Sequence, residues 1–286
     1  MATRTWTGSV SNAFATAGNW SPANVPVTGD DVVVPITAAQ GIAGSNQSAI
    51  TLLSLRVEEG FKFDIGSLGA PLEINCSGDF HYNGWANFAY FYGLYARGFF
   101  SPVHADEPTL IVKAKSTSFT ESFTILRGFT EIQGDTALTT IATLNVSAKN
   151  FNTKVKLTGN ITTTDVFAFG GTIEHFGTHS TSNIGTVRVV GGTIYNYATG
   201  GASGYISRNG RVYHRTAGTI SFMSAFGGTI DLRGIPGSLS VGQTWLFSKS
   251  TLDLRSAFPI TFTSDKQAFN GAIIKQIGNT HVFEWH

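Results

Sequence analysis

Apolar and polar positions alternate along this chain in short runs, and most runs close on glycine, asparagine or aspartate. "LEINCSGD" (72–79), "FTEIQG" (129–134) and "VKLTGN" (155–160) are typical. Alternation marks a strand with one buried face, and the closing residues mark turns. No stretch shows a convincing helical period. "TALTTIATLNVSA" (136–148) comes nearest, but its threonines and its neighbours favour a strand.

One phrase recurs. "FGGTIEHFGT" (169–178), "VGGTIYNYAT" (190–199), "TAGTISFMSA" (216–225) and "FGGTIDLRGI" (226–235) set Ile173, Ile194, Ile220 and Ile230 at intervals of 21, 26 and 10 residues. The first two intervals fit one turn of a coil, and the third fits two strands within a turn. The pattern predicts an all-β right-handed parallel β-helix, a solenoid whose turns stack at the ~4.8 Å strand spacing. The glycine pair supplies positive φ at the corner, threonine starts the strand, and isoleucine points inward. Ile173, Ile194 and Ile220 are expected one above another in an interior ladder. A β-sandwich is the alternative, since it too has short strands and glycine turns.

Three segments follow: an N-terminal cap (1–45), a coil (46–235) and a C-terminal β cap (236–286). "GAIIKQIGNTHVFEWH" (271–286) reads as a hairpin turning at Gly278–Asn279, with Val282, Phe283 and Trp285 beyond it. In the cap, Trp6 and Trp20 are placed as a lid on the open core. The residues around Pro22, Pro26 and Asp30–Asp31 cover the sheet edge that would otherwise invite aggregation. A ligand site at Trp20 and Asp30–Asp31 is the other reading.

An aromatic-rich stretch, 79–108, is expected to interrupt the coil as an insertion. Within it Tyr82, Trp85, Tyr90, Tyr92, Tyr95 and Arg97 are candidates for a subunit interface, where such residues are the usual anchors, or for a platform stacking on sugar rings. Packing on the solenoid's flank is the reading favoured over both.

Composition narrows the partners. Nineteen Lys and Arg against 18 Asp and Glu leave a net charge of +1, with the basic residues scattered. This gives no broad attraction to nucleic acid or to an anionic membrane. No run reaches the ~20 apolar residues of a membrane span. Cys76 is the only cysteine, so no intrachain disulfide holds the fold. The opening "MATRTWTGSV" lacks the apolar core of a secretory signal.

Catalytic patterns are sparse. "EHFGTH" sets Glu174, His175 and His179 close together, but alternation turns His175 away from Glu174. These histidines are expected on a surface loop, and His214, between Arg211 and Arg215, on a solvated face. A glycosidase needs two carboxyls roughly 5–9.5 Å apart. Glu121, Glu131, Asp135, Asp165, Glu174 and Asp231 occur singly, although residues one turn apart can stack into a pair. No catalytic residue, metal or cofactor is assigned.

The N-terminal motif, Trp6-x-Gly8, Gly18-Asn19-Trp20-Ser21, Val25-Pro26 and Gly29-Asp30-Asp31 before an apolar strand, resembles the opening of β-solenoid structural proteins of tailed-bacteriophage virions. It is also similar to the repeat entry of autotransporter passengers and related adhesins. The resemblance covers about the first 40 residues, and the Gly-Thr-Ile coils extend it weakly to about residue 235. It identifies an architecture more than a task. An autotransporter needs an export signal and a membrane barrel, so the virion side is favoured. The resemblance implies a non-enzymatic structural protein, assembled into a virion in the host cytoplasm. A capsid decoration or cement protein is expected, forming a homotrimer and contacting virion proteins such as the major capsid protein. The alternatives are a tail or baseplate appendage, a carbohydrate-binding adhesin with a glycan partner, and a polysaccharide-degrading tailspike-type enzyme.

Overall fold

A computed structural model describes residues 1–104, 109–115, 119–147, 153–178, 183–269, 271–276 and 283–285. Its strands pair in parallel almost throughout and stack into about eleven turns of a β-solenoid. At ~4.8 Å per turn the column is roughly 50 Å long. The only helical element among the described residues is the 3-10 turn Ala17–Asn19, so no described helix is long and apolar enough to cross a membrane.

A mid-column turn shows how sequence becomes shape. Thr139–Ser147 alternates inward and outward until Ala142 and Thr143, where two consecutive residues face out. The same slip occurs at Thr164–Asp165, Ser221–Phe222 and Gly242–Gln243. Each slip makes a corner, so the long strand supplies two faces and the short strand Lys154–Gly159 supplies the third. The backbones of successive turns approach closely at this corner. A Cβ on Gly185 would lie 1.9 Å from the Thr164 carbonyl oxygen, and one on Gly242 equally near that of Ser221. The next corner uses the glycine pairs: Gly170, Gly171, Gly227 and Gly228 all have φ between 68° and 82°.

Register then aligns the interior. On the third face Val155, Ile173, Ile194, Val212, Ile230, Leu252 and Ile274 form one continuous column. Ile220 does not belong to it. Its strand, Gly218–Phe226, lies on the first two faces, where Ile220 stacks between Ala202 and Val241. The phrase recurs because more than one corner needs a glycine turn followed by threonine and an inward isoleucine. The predicted 10-residue spacing holds, since Gly218–Phe226 and Gly228–Asp231 are consecutive strands of one turn.

The aromatic stretch is not an insertion. Leu72–Tyr82, Ala89–Gly93 and Tyr95–Phe100 pair in parallel with the turns on either side. Phe80, Phe91, Tyr95, Phe100 and Phe123 fill the interior with ring centroids 4.8–5.4 Å apart. Gly98 admits them: a Cβ there would meet the Phe123 ring at 2.2 Å. Rings replace aliphatic side chains at inward positions, and the coil simply continues.

At the N-terminal end, Thr3–Trp6 is already a rung, parallel to Asp31–Val34, and its free edge is covered by antiparallel Trp20–Ser21. Trp6 packs edge-on against Trp20 at 5.0 Å, and Phe14 packs on Trp20 at 4.9 Å. Their indole N–H groups donate to the carbonyls of Gln40 and Phe14. Asn19, wholly buried, accepts from the amides of Val10 and Ser11 and donates to Ser11 Oγ and the Ala13 carbonyl. Asp30 accepts from the Ala2 and Val27 amides and from Arg4. Burial alone would raise the Asp30 carboxyl, but these donors outweigh it and hold it below the ordinary range. Both tryptophans and Asp30 thus belong to the lid.

The C-terminal hairpin is not formed among the described residues. Ile273–Lys275 pairs in parallel with Ser250–Asp253, and Glu284–Trp285 with Lys266–Ala268. The proposed turn at Gly278–Asn279, and Val282, lie outside the described residues. The column therefore runs through both segments that were set apart as caps.

Ile194→Ala, in the middle of the long column, is expected to cost about 2–5 kcal/mol in denaturant unfolding. Ile220→Ala should cost less than that, because Ala202 beside it already leaves the first face narrower. Asn19→Ala is expected to leave the Val10 and Ser11 amides unsatisfied. Amide exchange should then accelerate over residues 1–34 and stay unchanged in the central turns.

Candidate functional site

One line of outward positions on the second face carries several of the exposed or half-exposed rings. Register and ring contacts set Leu126, Ser147, Phe169, Val190, Arg208, Phe226, Phe247 and Phe269 along one edge, one per turn. Phe226, Phe247 and Phe269 stack face to face with centroids 4.1 and 4.7 Å apart. Trp245 flanks them, and Phe169 and Phe226 are 49% and 40% exposed. Ser147 and Arg208 interrupt this line, and the three stacked rings at its C-terminal end are its longest aromatic run. Its members lie 18–22 residues apart in separate strands, joined only by register, so no local pattern in the sequence marks it.

The predicted aromatic candidates separate. Tyr82 and Tyr95 are core residues, and burial pushes both hydroxyls far up. Tyr90 is also buried, with its hydroxyl 3.2 Å from Gln133 Oε1. These three cannot reach a partner. Tyr92 donates to Asp135 at 2.7 Å and lies under Lys113. Burial, then the Asp135 hydrogen bond, pushes its hydroxyl up to about 12. Arg97 pairs with Asp79 at 2.8 Å on the outer surface. Of the six, Trp85 alone has a widely open ring, 48% exposed.

The third face is laced with charge. Lys156 reaches Glu131 at 3.5 Å and Lys154 reaches Glu174 at 3.0 Å. Lower down, Asp231 and Asp253 occupy adjacent turns in direct register, the stacked carboxylate pair that sequence alone left hidden. Arg233 bridges them, Arg215 adds to Asp231 and Arg255 to Asp253. Burial would raise the Asp231 carboxyl, but hydrogen bonds from Arg233 and the Arg215 charge hold it low. The Arg255 hydrogen bond, against a smaller effect of burial, does the same for Asp253. Both are kept ionised, whereas a glycosidase acid must hold its proton near neutral pH.

The histidines are inside, not on the surface. His175, Asn196 and His214 follow Ile173, Ile194 and Val212 by two positions and share their inward face, all wholly buried. Asn196 donates to Tyr205 Oη at 3.0 Å, and that hydroxyl lies 2.8 Å from His214 Nδ1. His175 Nδ1 faces Asn196 Oδ1, and its Nε2 faces the Ile161 carbonyl, each at 3.3 Å. A neutral ring donates to only one of these. Among the described residues no three metal-ligating side chains cluster, and His179 lies outside them. Buried Cys76 has its thiol pushed up to about 11, mainly by desolvation, and stays protonated.

No protein-family model, curated protein or solved structure matches this chain.

Burial lowers His175 to about 4 and His214 to about 3. An unfolded histidine takes up its proton near pH 6.5. Below that pH the unfolded chain binds more protons, so stability falls as pH drops from about 6.5 to 4. Each histidine is expected to contribute about 2–3 kcal/mol to this loss. Melting curves between pH 7.5 and 4.5 should show it, and His175→Gln should flatten the slope. Asp231 and Asp253, whose pKa values are depressed, lose their contribution only as pH falls below the ordinary aspartate range, which separates the two effects.

Proposed function

We propose that this protein is a non-enzymatic structural subunit of a tailed-phage virion that works by lateral protein–protein contact. The observation that carries this reading is the stacked Phe226–Phe247–Phe269 edge beside Trp245, a rigid apolar ridge on the outside of the column. The rings are ordered before any partner arrives, so little side-chain entropy is lost on docking. The opening motif supplies the virion setting. Its lid and edge strand suit a body that must stay soluble until it assembles. The ion-paired, ionised carboxylates of the third face support a structural use of that surface.

In this reading the ridge packs against a second copy around a three-fold axis, and the assembled trimer decorates the capsid by contacts with the major capsid protein. Open Trp85 is the anchor left for that second surface.

Sedimentation of the full chain is expected to give a trimer. Phe247→Glu should shift it to monomer, with unchanged circular dichroism, because the substitution puts a charge at the centre of the ridge. A wild-type chain that stays monomeric at every concentration, or a variant that still assembles, would overturn the ridge reading. Release of reducing sugar from polysaccharide by the wild-type chain would overturn its non-enzymatic part.

A further inference from the structure

The edge narrows at Val190. Between Phe169 and Arg208 the column holds only Val190, and the side chains around it enclose a groove of about 200 Å³, lined also by Phe167, Arg188 and Ile206. The gap has defined walls. Arg188 lies over the Phe167 ring at 5.0 Å, so that ring faces the next turn. Phe169 is parallel to Phe167 within 7°, so its ring faces the same way, toward the space above Val190. On the far side the Arg208 guanidinium lies 5.6 Å from the Phe226 ring centre, beyond face contact, so its N–H edge is able to turn toward the gap. Two turns separate the walls, about 9–10 Å.

We propose that this slot binds a single anionic sugar unit, a pyranose bearing a carboxylate, between the Phe169 ring and the Arg208 guanidinium. Three observations select that chemistry. A flat ring in van der Waals contact with both walls needs only ~7–8 Å, so a puckered ring fills the slot better than a nucleobase or an aromatic side chain. The volume is below the ~300–1,000 Å³ of sites for larger ligands, which limits the occupant to about one ring. The charge is unbalanced. Arg188 is held by Asp165 at 2.7 Å, while Arg208 has no acidic partner among the described residues. The C–H face of a pyranose would lie on Phe169, and its carboxylate would take the guanidinium's paired donors. The site adjoins the Phe226–Phe269 ridge through Arg208, but it does not depend on that ridge being an interface.

Ligand-observed NMR on the full chain tests it, with the methyl glycoside of glucuronic acid as probe and methyl glucoside as its neutral counterpart. The acidic probe is expected to bind saturably, about tenfold more tightly than the neutral one. Arg208→Ala should abolish that preference. Val190→Phe continues the ring column through the gap, so it should keep the melting temperature and lose binding of both probes. Equal binding of the two probes, binding that survives Val190→Phe, or no saturable binding to the wild-type chain would overturn the proposal. Loss of trimer in Val190→Phe without any sugar binding would also overturn it, assigning the slot to a neighbouring protein's side chain. The sugar readout is separate from the sedimentation readout for the ridge, so either reading can fail alone.

Discussion

Parallel hydrogen bonding in register, repeated turn after turn, is the constraint on which everything else here depends. It fixes each residue ~4.8 Å from its counterparts above and below, so the unit of packing is the column and not the strand. A side chain succeeds or fails by what its column neighbours are. Val155 through Ile274 succeed as a continuous aliphatic column. Where a large ring enters, the same turn gives way: Tyr205 sits on the turn that has Ala202 and Ser207 at its other inward positions. The corner glycines answer to the same spacing, because Gly185 and Gly242 stand where a Cβ would run into the carbonyl of the turn below.

The polar interior follows from that rule and carries its cost. His175, Asn196 and His214 form a column beside the aliphatic one. Buried polar groups are tolerable only when they satisfy one another. Asn196 does most of this, with contacts to His175, Tyr205 and the Gly201 carbonyl. The chain holds only while both imidazoles are neutral, so the same network that fixes the register of three turns also makes them sensitive to acid.

Much of the fold was legible in the sequence because a solenoid writes its period into the chain. Alternation gave the strands, glycine pairs gave corners, and the repeated phrase gave the stacking of Ile173 on Ile194. Ile220 was misplaced because a local phrase states that a corner is near but not which corner. The histidines were misread although the signal was present: Ile173 and His175 are two apart, as are Ile194 and Asn196, and residues two apart on a strand share a face. Tyr82 and Tyr95 stand among the interface or sugar-platform candidates because ring density in a stretch of the chain does not say which rings face inward. Yet Phe80 and Tyr82 alternate with Asp79 and His81 as any half-buried strand does. The lateral edge and its gap were not legible, since loops of varying length between the strands hide which residues become neighbours.

Register also decides what the stacked acids can do. Asp231 and Asp253 are brought one turn apart by the same pairing that aligns the core, and two like charges at that spacing repel. A protein can relieve this by letting one carboxyl keep its proton, which yields an acid–base pair, or by inserting cations, which yields an ion ladder. Here Arg233 spans both carboxylates and Arg215 and Arg255 close the ends. The second solution leaves no proton on the pair near neutral pH. It also ties the column together along its outer surface, where the backbone ladder alone would resist shear only through hydrogen bonds. A body stiffened both inside and outside presents its surface features at fixed spacing, turn by turn.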